Sequence, residues 1–289
     1  MKKRLINDWA IEVYDFDITK ATLEQAHEIA CDTVSNMVVV IKKQDMTSKQ
    51  EEDFCSMIGQ CQRIIDPTKP RSGQRTEHMA VDNYILRVTG KPNDKGEEGL
   101  FGHTSALDWH ANQASNYERK PLIWLYGVEG TKGSRTSWIN MIEAYNDLDD
   151  LTKEELQHIE ITLGYKSGSY STSKFFHEHH ASDRPFKLVH ANDAGKTGLY
   201  FPFLQIFGMK GLDEEAFNYT MEKLKSHVLK DKYRYDHDWD DGDIVLSEQW
   251  LSIHKRWQFE DMKQRVLHRI AFDYSKVDYE HRYSNNNSS

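Results

Sequence analysis

The apolar segments of this chain are short and many, and that pattern constrains its fold more than any other feature. Met37–Ile41, Tyr84–Thr89, Leu122–Val128, Thr136–Met141, Phe186–His190, Thr197–Pro202, Asp243–Leu246 and Arg265–Phe272 each read as a strand. Helical spacing is confined to four places. Leu23, Ala26, Ile29, Ala30 and Val34 share one face, and Thr47 caps a second segment whose apolar face is Phe54, Met57 and Ile58. A polar helix is expected from Leu151 to Ile161, and another from Asp213 to about Leu229. No repeat period is visible. Many short strands with a few helices predict an α+β or mainly β fold, a helix-decorated barrel or jelly roll.

Punctuation sets the organisation. Residues 62 to 120 are irregular around the Tyr84–Thr89 strand, broken by Pro67, Pro70 and Pro92, and the loop from 62 to 104 is expected to form part of a lid. Lys166–Ser173 has linker composition, and Asn192–Gly195 reads as the turn of a hairpin. The length of 289 residues admits two domains, but one contiguous domain over 1–283 is the simpler expectation, with 284–289 as a disordered tail.

Charge narrows the partners. Lys and Arg total 37 against 46 Asp and Glu, a formal net charge of −9, which repels phosphate backbones and anionic lipid. No nucleic acid and no membrane are therefore expected as partners; homo-oligomerisation is left open. The Met37–Ile41 run is far too short to cross a bilayer, and the basic start Met1–Trp9 has no apolar stretch behind it, so a cytoplasmic location is expected. Cys31, Cys55 and Cys61 include no C-x-x-C pair and read as reduced thiols rather than a disulfide framework or zinc ribbon.

The common nucleotide, serine-hydrolase and zinc-protease motifs are absent, which leaves histidine as the chemical handle. The cluster His177, His179, His180 could chelate a metal, although its Ser-rich surroundings suit a solvated loop. Leu107–Asn112 and Ser247–His254 are sharper. Positions i and i+2 of a strand face one side, so His110 and Asn112 could both face one ion if a second strand brings His254. Two histidines and a carboxylate on one face of iron leave three positions open, and here the carboxylate is missing. His-Ala-Asn recurs at His190–Asn192, so the tripeptide alone carries little weight. The strict match His158-Ile-Glu160 falls in the expected polar helix, where i and i+2 diverge. Arg265 follows His254 by eleven residues and Arg269 by four more; in a strand both would project to one side, suited to gripping a carboxylate or else exposed to solvent.

With these elements in order, the sequence from about Ile11 to Phe272 resembles the taurine dioxygenase-like (TauD/TfdA) branch of the iron(II)/2-oxoglutarate dioxygenases. The likeness rests on the helix-strand-helix opening through Val38–Thr47, on Trp109-His110, on Gly133–Trp138, and on Arg184–His190 followed by Gly195–Tyr200. It continues through Gly242–Val245 and His254 with Arg265–Arg269. The resemblance implies a double-stranded β-helix (jelly roll) with flanking helices. It also implies Fe(2+) held by His110 and His254, with Asn112 where the family has an acidic ligand. Thr136 and Arg265 would hold the distal carboxylate of 2-oxoglutarate, and Arg269 would face an anionic group of the substrate. The implied activity is hydroxylation of a small substrate with release of succinate and CO2. Two alternatives accompany it: halogenation, with a halide in place of the missing carboxylate, and a silent binding module of the same fold.

Overall fold

The structure is a computed structural model that describes residues 1–64, 80–92, 96, 104–164, 185–192 and 194–278. The expected linker at 166–173, the histidines at 177–180, the tail and much of the expected lid lie outside the described residues. In chain order the elements are β1 (Lys2–Leu5), β2 (Ile11–Tyr14), α1 (Leu23–Asn36), β3 (Val38–Ile41), α2 (Ser48–Ile58), β4 (Leu86–Thr89) and β5 (Leu107–His110). Then come β6 (Leu122–Glu129), β7 (Arg135–Asn140), α3 (Met141–Asn146), α4 (Asp150–Gln157), β8 (Glu160–Leu163), β9 (Phe186–Lys187), β10 (Val189–Ala191) and β11 (Thr197–Leu199). The chain continues through β12 (Ile206–Met209), α5 (Glu214–Val228), β13 (Arg234–Asp238), β14 (Ile244–Glu248), β15 (Ser252–Arg256) and β16 (Val266–Phe272).

Two sheets make the core. The larger runs β1-β2-β3-β14-β6-β16-β4, and the smaller runs β13-β7-β15-β5. Trp138 and Tyr235 of the small sheet pack with Ile123, Leu125, Val245 and Leu267 of the large one, so these residues mark the interior between the sheets. The outer face of the large sheet buries Trp124, Ile244, Leu246 and Ile270 under α1 and α2. The outer face of the small sheet buries Ile139 and Ile253 under Met221, Leu224 and Val228 of α5. This is the jelly-roll architecture with flanking helices that the family resemblance implies, and one of the folds that the short apolar runs leave open. Capping boxes at Thr22 with Gln25 and Thr47 with Gln50 start α1 and α2 as their sequences suggest, each worth about 1 kcal/mol.

Three expectations about elements need correction. The polar helix ends at Gln157 rather than Ile161, and Glu160 opens β8, where its carboxylate pairs with Lys210 at 2.8 Å. Met141 begins α3 instead of closing a strand, because the Asn140 side chain accepts from the Ile142 and Glu143 amides and caps the helix there. The extended run expected through Asn112 stops at His110, and Gln113 takes a positive φ of 54°.

One turn ties the layers together. Gly242 has φ 89°, and a Cβ there would lie 2.7 Å from the Gln44 carbonyl oxygen. Asp243 beside it is buried; it accepts from the Lys43 and Asp240 amides and lies 3.3 Å from His237 Nε2. Gly242→Ala should lower the unfolding free energy by roughly 2–4 kcal/mol in urea titrations. Gly211→Ala, at φ 84° with open space around it, should cost only about 1 kcal/mol. Equal losses would mean that the Gln44 contact relaxes without cost.

Candidate functional site

Strand alternation assigns the inward-facing side chains. In β15, Ile253 joins the outer cluster, so His254 and Arg256 share the opposite, inner face. In β7, Ile139 faces out and Trp138 in, which places Thr136 on the inner face as well. In β16, Leu267 and Ala271 face in, and Arg269 between them shares that face. Four of the six sequence-predicted site residues thus come from strands whose other face is sealed by helices.

His254 pairs directly with His110 across β15 and β5, and the ring centroids are 4.1 Å apart. A cross-strand ion pair between Lys255 and Asp108, 3.1 Å, fastens the same two strands on their outer side. The Asp108 carbonyl lies 2.6 Å from His110 Nδ1 and can only accept, so Nδ1 carries the proton and Nε2 keeps its lone pair. Burial lowers the His110 pKa to about 4, helped by the Arg256 and Arg269 charges. Burial, His110 and Arg269 hold His254 well below the ordinary histidine range. Both imidazoles are therefore neutral at neutral pH, the form a metal ion requires. Among the described residues, no third His, Cys, Asp or Glu completes a metal-binding group.

Asn112 lies two residues past β5, and Gln205 holds that turn by bonding both the amide and the carbonyl of Ala111 at 2.9 Å. The Asn112 Oδ1 accepts from Arg269 Nη1 at 3.0 Å, a contact between residues 157 apart in sequence. A guanidinium has no acceptor, so the amide must turn its oxygen toward Arg269. The second His-Ala-Asn tripeptide serves packing: His190 stacks on Trp250 at 4.5 Å between centroids.

Arg265 precedes β16 and is only 1% exposed. Its Nε donates to Ser134 Oγ at 3.1 Å, and Ser134 in turn donates to the Thr131 carbonyl at 2.6 Å. Gly130, at φ 62°, makes this approach possible, since a Cβ there would come within 2.5 Å of the Gln264 oxygen. Burial and the Arg256 charge pull the Arg265 pKa down to about 9, and among the described residues no carboxylate pairs with it. Thr136 Oγ1 accepts from Trp239 Nε1 at 3.0 Å, so its own proton must be donated elsewhere. Arg256, 6% exposed and with its pKa lowered by burial to about 10, lies directly across from Thr136 and donates to the Ser105 carbonyl at 2.6 Å. Sequence reading missed Arg256, Ser134, Gln205 and Trp239. For Arg256 the signal was present, because i and i+2 in a strand share a face and Arg256 stands two residues after His254.

This geometry fits a metal ion beside an anionic ligand: two neutral imidazoles at one end, a buried guanidinium with a hydroxyl at the other. Comparisons with known proteins agree in class. The family described as "Taurine catabolism dioxygenase TauD, TfdA family" matches residues 3–271. Pentalenolactone F synthase of Streptomyces avermitilis is 21% identical over 70% of this chain and 72% of its own length. The alpha-ketoglutarate-dependent 2,4-dichlorophenoxyacetate dioxygenase of a Burkholderia species is 22% identical over 81% of this chain and 80% of its own. Among solved structures, AAD-2 in complex with Mn(II) and N-oxalylglycine superimposes with a TM-score of 0.74 at 20% identity, covering 94% of this chain and 97% of that one.

Proposed function

Because the chain belongs to the taurine catabolism dioxygenase TauD, TfdA family and is an iron(II)/2-oxoglutarate-dependent dioxygenase, we propose that it hydroxylates a small acidic substrate. In this reading His110 and His254 hold the metal and Asn112 stands at the third position. Thr136 and Arg265 grip the distal carboxylate of 2-oxoglutarate, and Arg269 faces the substrate. The observation that carries it is the direct cross-strand pairing of His254 with His110 in the same interior that buries Arg265.

The residues fit a ferrous ion. Both imidazoles are neutral, and the His110 tautomer leaves Nε2 to coordinate. When bound, iron and 2-oxoglutarate supply the dioxygen chemistry that places one oxygen atom in the substrate and one in succinate, with CO2 released. The protein's own residues orient and exclude. Trp239 occupies an acceptor site of the Thr136 hydroxyl, which directs its proton to a carboxylate beside Arg265. Trp138, fully buried and stacked near His254, keeps water from that side of the ring. Arg269 is braced by Asn112, so its charge is positioned before an anionic substrate arrives.

Succinate formation from 2-oxoglutarate under air with ferrous iron tests this reading across a panel of small carboxylates and sulfonates. Substrate-stimulated succinate release with a hydroxylated product is the expected result. Absence of succinate with every member would refute catalysis, and product carrying chlorine only when chloride is present would favour the halide alternative. Asn112 is the weak donor of the three, since an amide brings no charge and its oxygen already accepts from Arg269. Asn112→Asp is therefore expected to tighten Mn(II) binding about tenfold or more in chelator-competition titrations. Unchanged affinity would place this side chain off the metal.

A further inference from the structure

The register of the small sheet lines up one ring from each of its four strands. His110 of β5 pairs with His254 of β15, His254 with Trp138 of β7, and Trp138 with Tyr235 of β13. The two imidazole centroids are 4.1 Å apart; Trp138 follows at 6.3 Å and Tyr235 at a further 6.3 Å, both steps stacked at 27°. Trp9 continues the row edge-on at 6.4 Å, in the segment between β1 and β2 where Ile6 and Asp8 are exposed. A row of oxidisable rings thus leads from the assigned metal ligands to a surface segment.

Proton acceptors distinguish these rings. Among the described residues the indole nitrogens of Trp138 and Trp9 have no hydrogen-bond partner, so an oxidised indole there has nowhere to send its proton. Tyr235 differs: its hydroxyl lies 2.9 Å from His237 Nδ1, within the range for proton transfer. Asp243 Oδ2 lies 3.3 Å from His237 Nε2 and can only accept, which draws the ring proton to Nε2 and leaves Nδ1 to accept from Tyr235. Burial and the Asp243 charge push the Tyr235 phenol well up, so it keeps its proton until it is oxidised. Packing alone does not require this arrangement. A buried histidine facing a buried carboxylate is costly to desolvate, and phenylalanine at 235 would fill nearly the same space.

We propose that this row is an electron-transfer path that protects the site: when no substrate takes the oxidant generated there from dioxygen and 2-oxoglutarate, Tyr235 supplies an electron through Trp138. The inference rests on the dioxygenase site assigned above. Trp138 gives one electron to that oxidant, and Tyr235 refills Trp138. The Tyr235 hydroxyl proton moves to His237 Nδ1, beside Asp243, which leaves a neutral phenoxyl. An external one-electron donor, a thiol or ascorbate, then returns an electron through Trp9, and the proton goes back to Tyr235. Two such passages with two protons from solvent reduce the unused oxygen atom to water before it attacks the ligands.

Rapid-freeze electron paramagnetic resonance reads the path on full-length protein loaded with ferrous iron and mixed with 2-oxoglutarate in aerated buffer without substrate. Peptide mapping by mass spectrometry follows oxygen adducts in the same samples. Wild type should give a tyrosyl signal that narrows when ring-deuterated tyrosine is incorporated. Tyr235→Phe should lose that signal and accumulate adducts on Trp138 and the ligand-bearing strands severalfold faster, with iron binding unchanged. Trp138→Phe should lose the tyrosyl signal although Tyr235 is present, and His237→Gln should replace it with a tryptophan signal. Should either of these two misfold, the conservative Tyr235→Phe decides alone. A wild type that consumes 2-oxoglutarate yet gives no protein radical would overturn the proposal. A tyrosyl signal of unchanged yield in Tyr235→Phe would also overturn it, as would adducts in that variant no more abundant than in wild type. A wild type that neither binds iron nor consumes 2-oxoglutarate would overturn the site assignment itself, and the path with it.

Discussion

His254→Ala should abolish divalent metal binding and lower 2-oxoglutarate-dependent succinate formation by roughly a thousandfold or more. Partners that merely orient a metal ligand are typically worth about 10–100-fold, and a ligand itself is worth more. The loss should be especially severe here because the described residues offer only one other imidazole and a neutral amide to compensate. Folding should survive, since the ring is a desolvated group whose removal leaves Trp138 and His110 as neighbours rather than an orphaned charge. Inductively coupled plasma mass spectrometry after Mn(II) loading, with circular dichroism on the same sample, reads both halves of the expectation. A folded variant that keeps stoichiometric metal would remove His254 from the site.

Arg265→Ala should raise the concentration of 2-oxoglutarate needed for half-saturation by roughly a hundredfold or more. Truncating one partner of a buried, hydrogen-bonded charge pair costs about 2–5 kcal/mol. Stability should move the other way or not at all. The ligand-free protein buries this guanidinium against the Ser134 hydroxyl, and burial pulls its pKa down to about 9, so the charged side chain opposes folding. Loss of cosubstrate affinity with an unchanged or higher Tm is the signature of a ligand-binding arginine. A large fall in Tm with cosubstrate affinity intact would mark Arg265 as structural.

The sequence made the strongly patterned parts legible. The Met37–Ile41 run and Leu122–Val128 are apolar on both faces because each is covered on one side by helices and on the other by the opposite sheet. The two strands that carry the imidazoles were harder to see. Leu107–His110 and Ser252–Arg256 are short and half polar, and they are strands because their neighbours supply the hydrogen-bonding edge. Arg234–Asp238 is likewise polar, with its Tyr235 and His237 turned inward. At the site, spacing along the chain left His110, His254, Arg265 and Arg269 as open candidates that only the family resemblance singled out, and it carried no information about who faces whom. The bond from Arg269 to Asn112 and the placement of Arg256 opposite Thr136 are products of sheet register, which linear spacing does not encode.

In the proposed function, two imidazoles from paired strands share one ferrous ion with a keto-diacid held against Arg265. Anaerobic addition of ferrous iron and 2-oxoglutarate, followed by visible absorption spectroscopy, reads that arrangement before any turnover. A weak metal-to-ligand charge-transfer band that requires both components is expected in the wild type, and its absence is expected in His254→Ala. A wild-type sample that binds iron and 2-oxoglutarate by equilibrium dialysis yet shows no such band would mean that the keto-diacid does not chelate a metal held by these imidazoles.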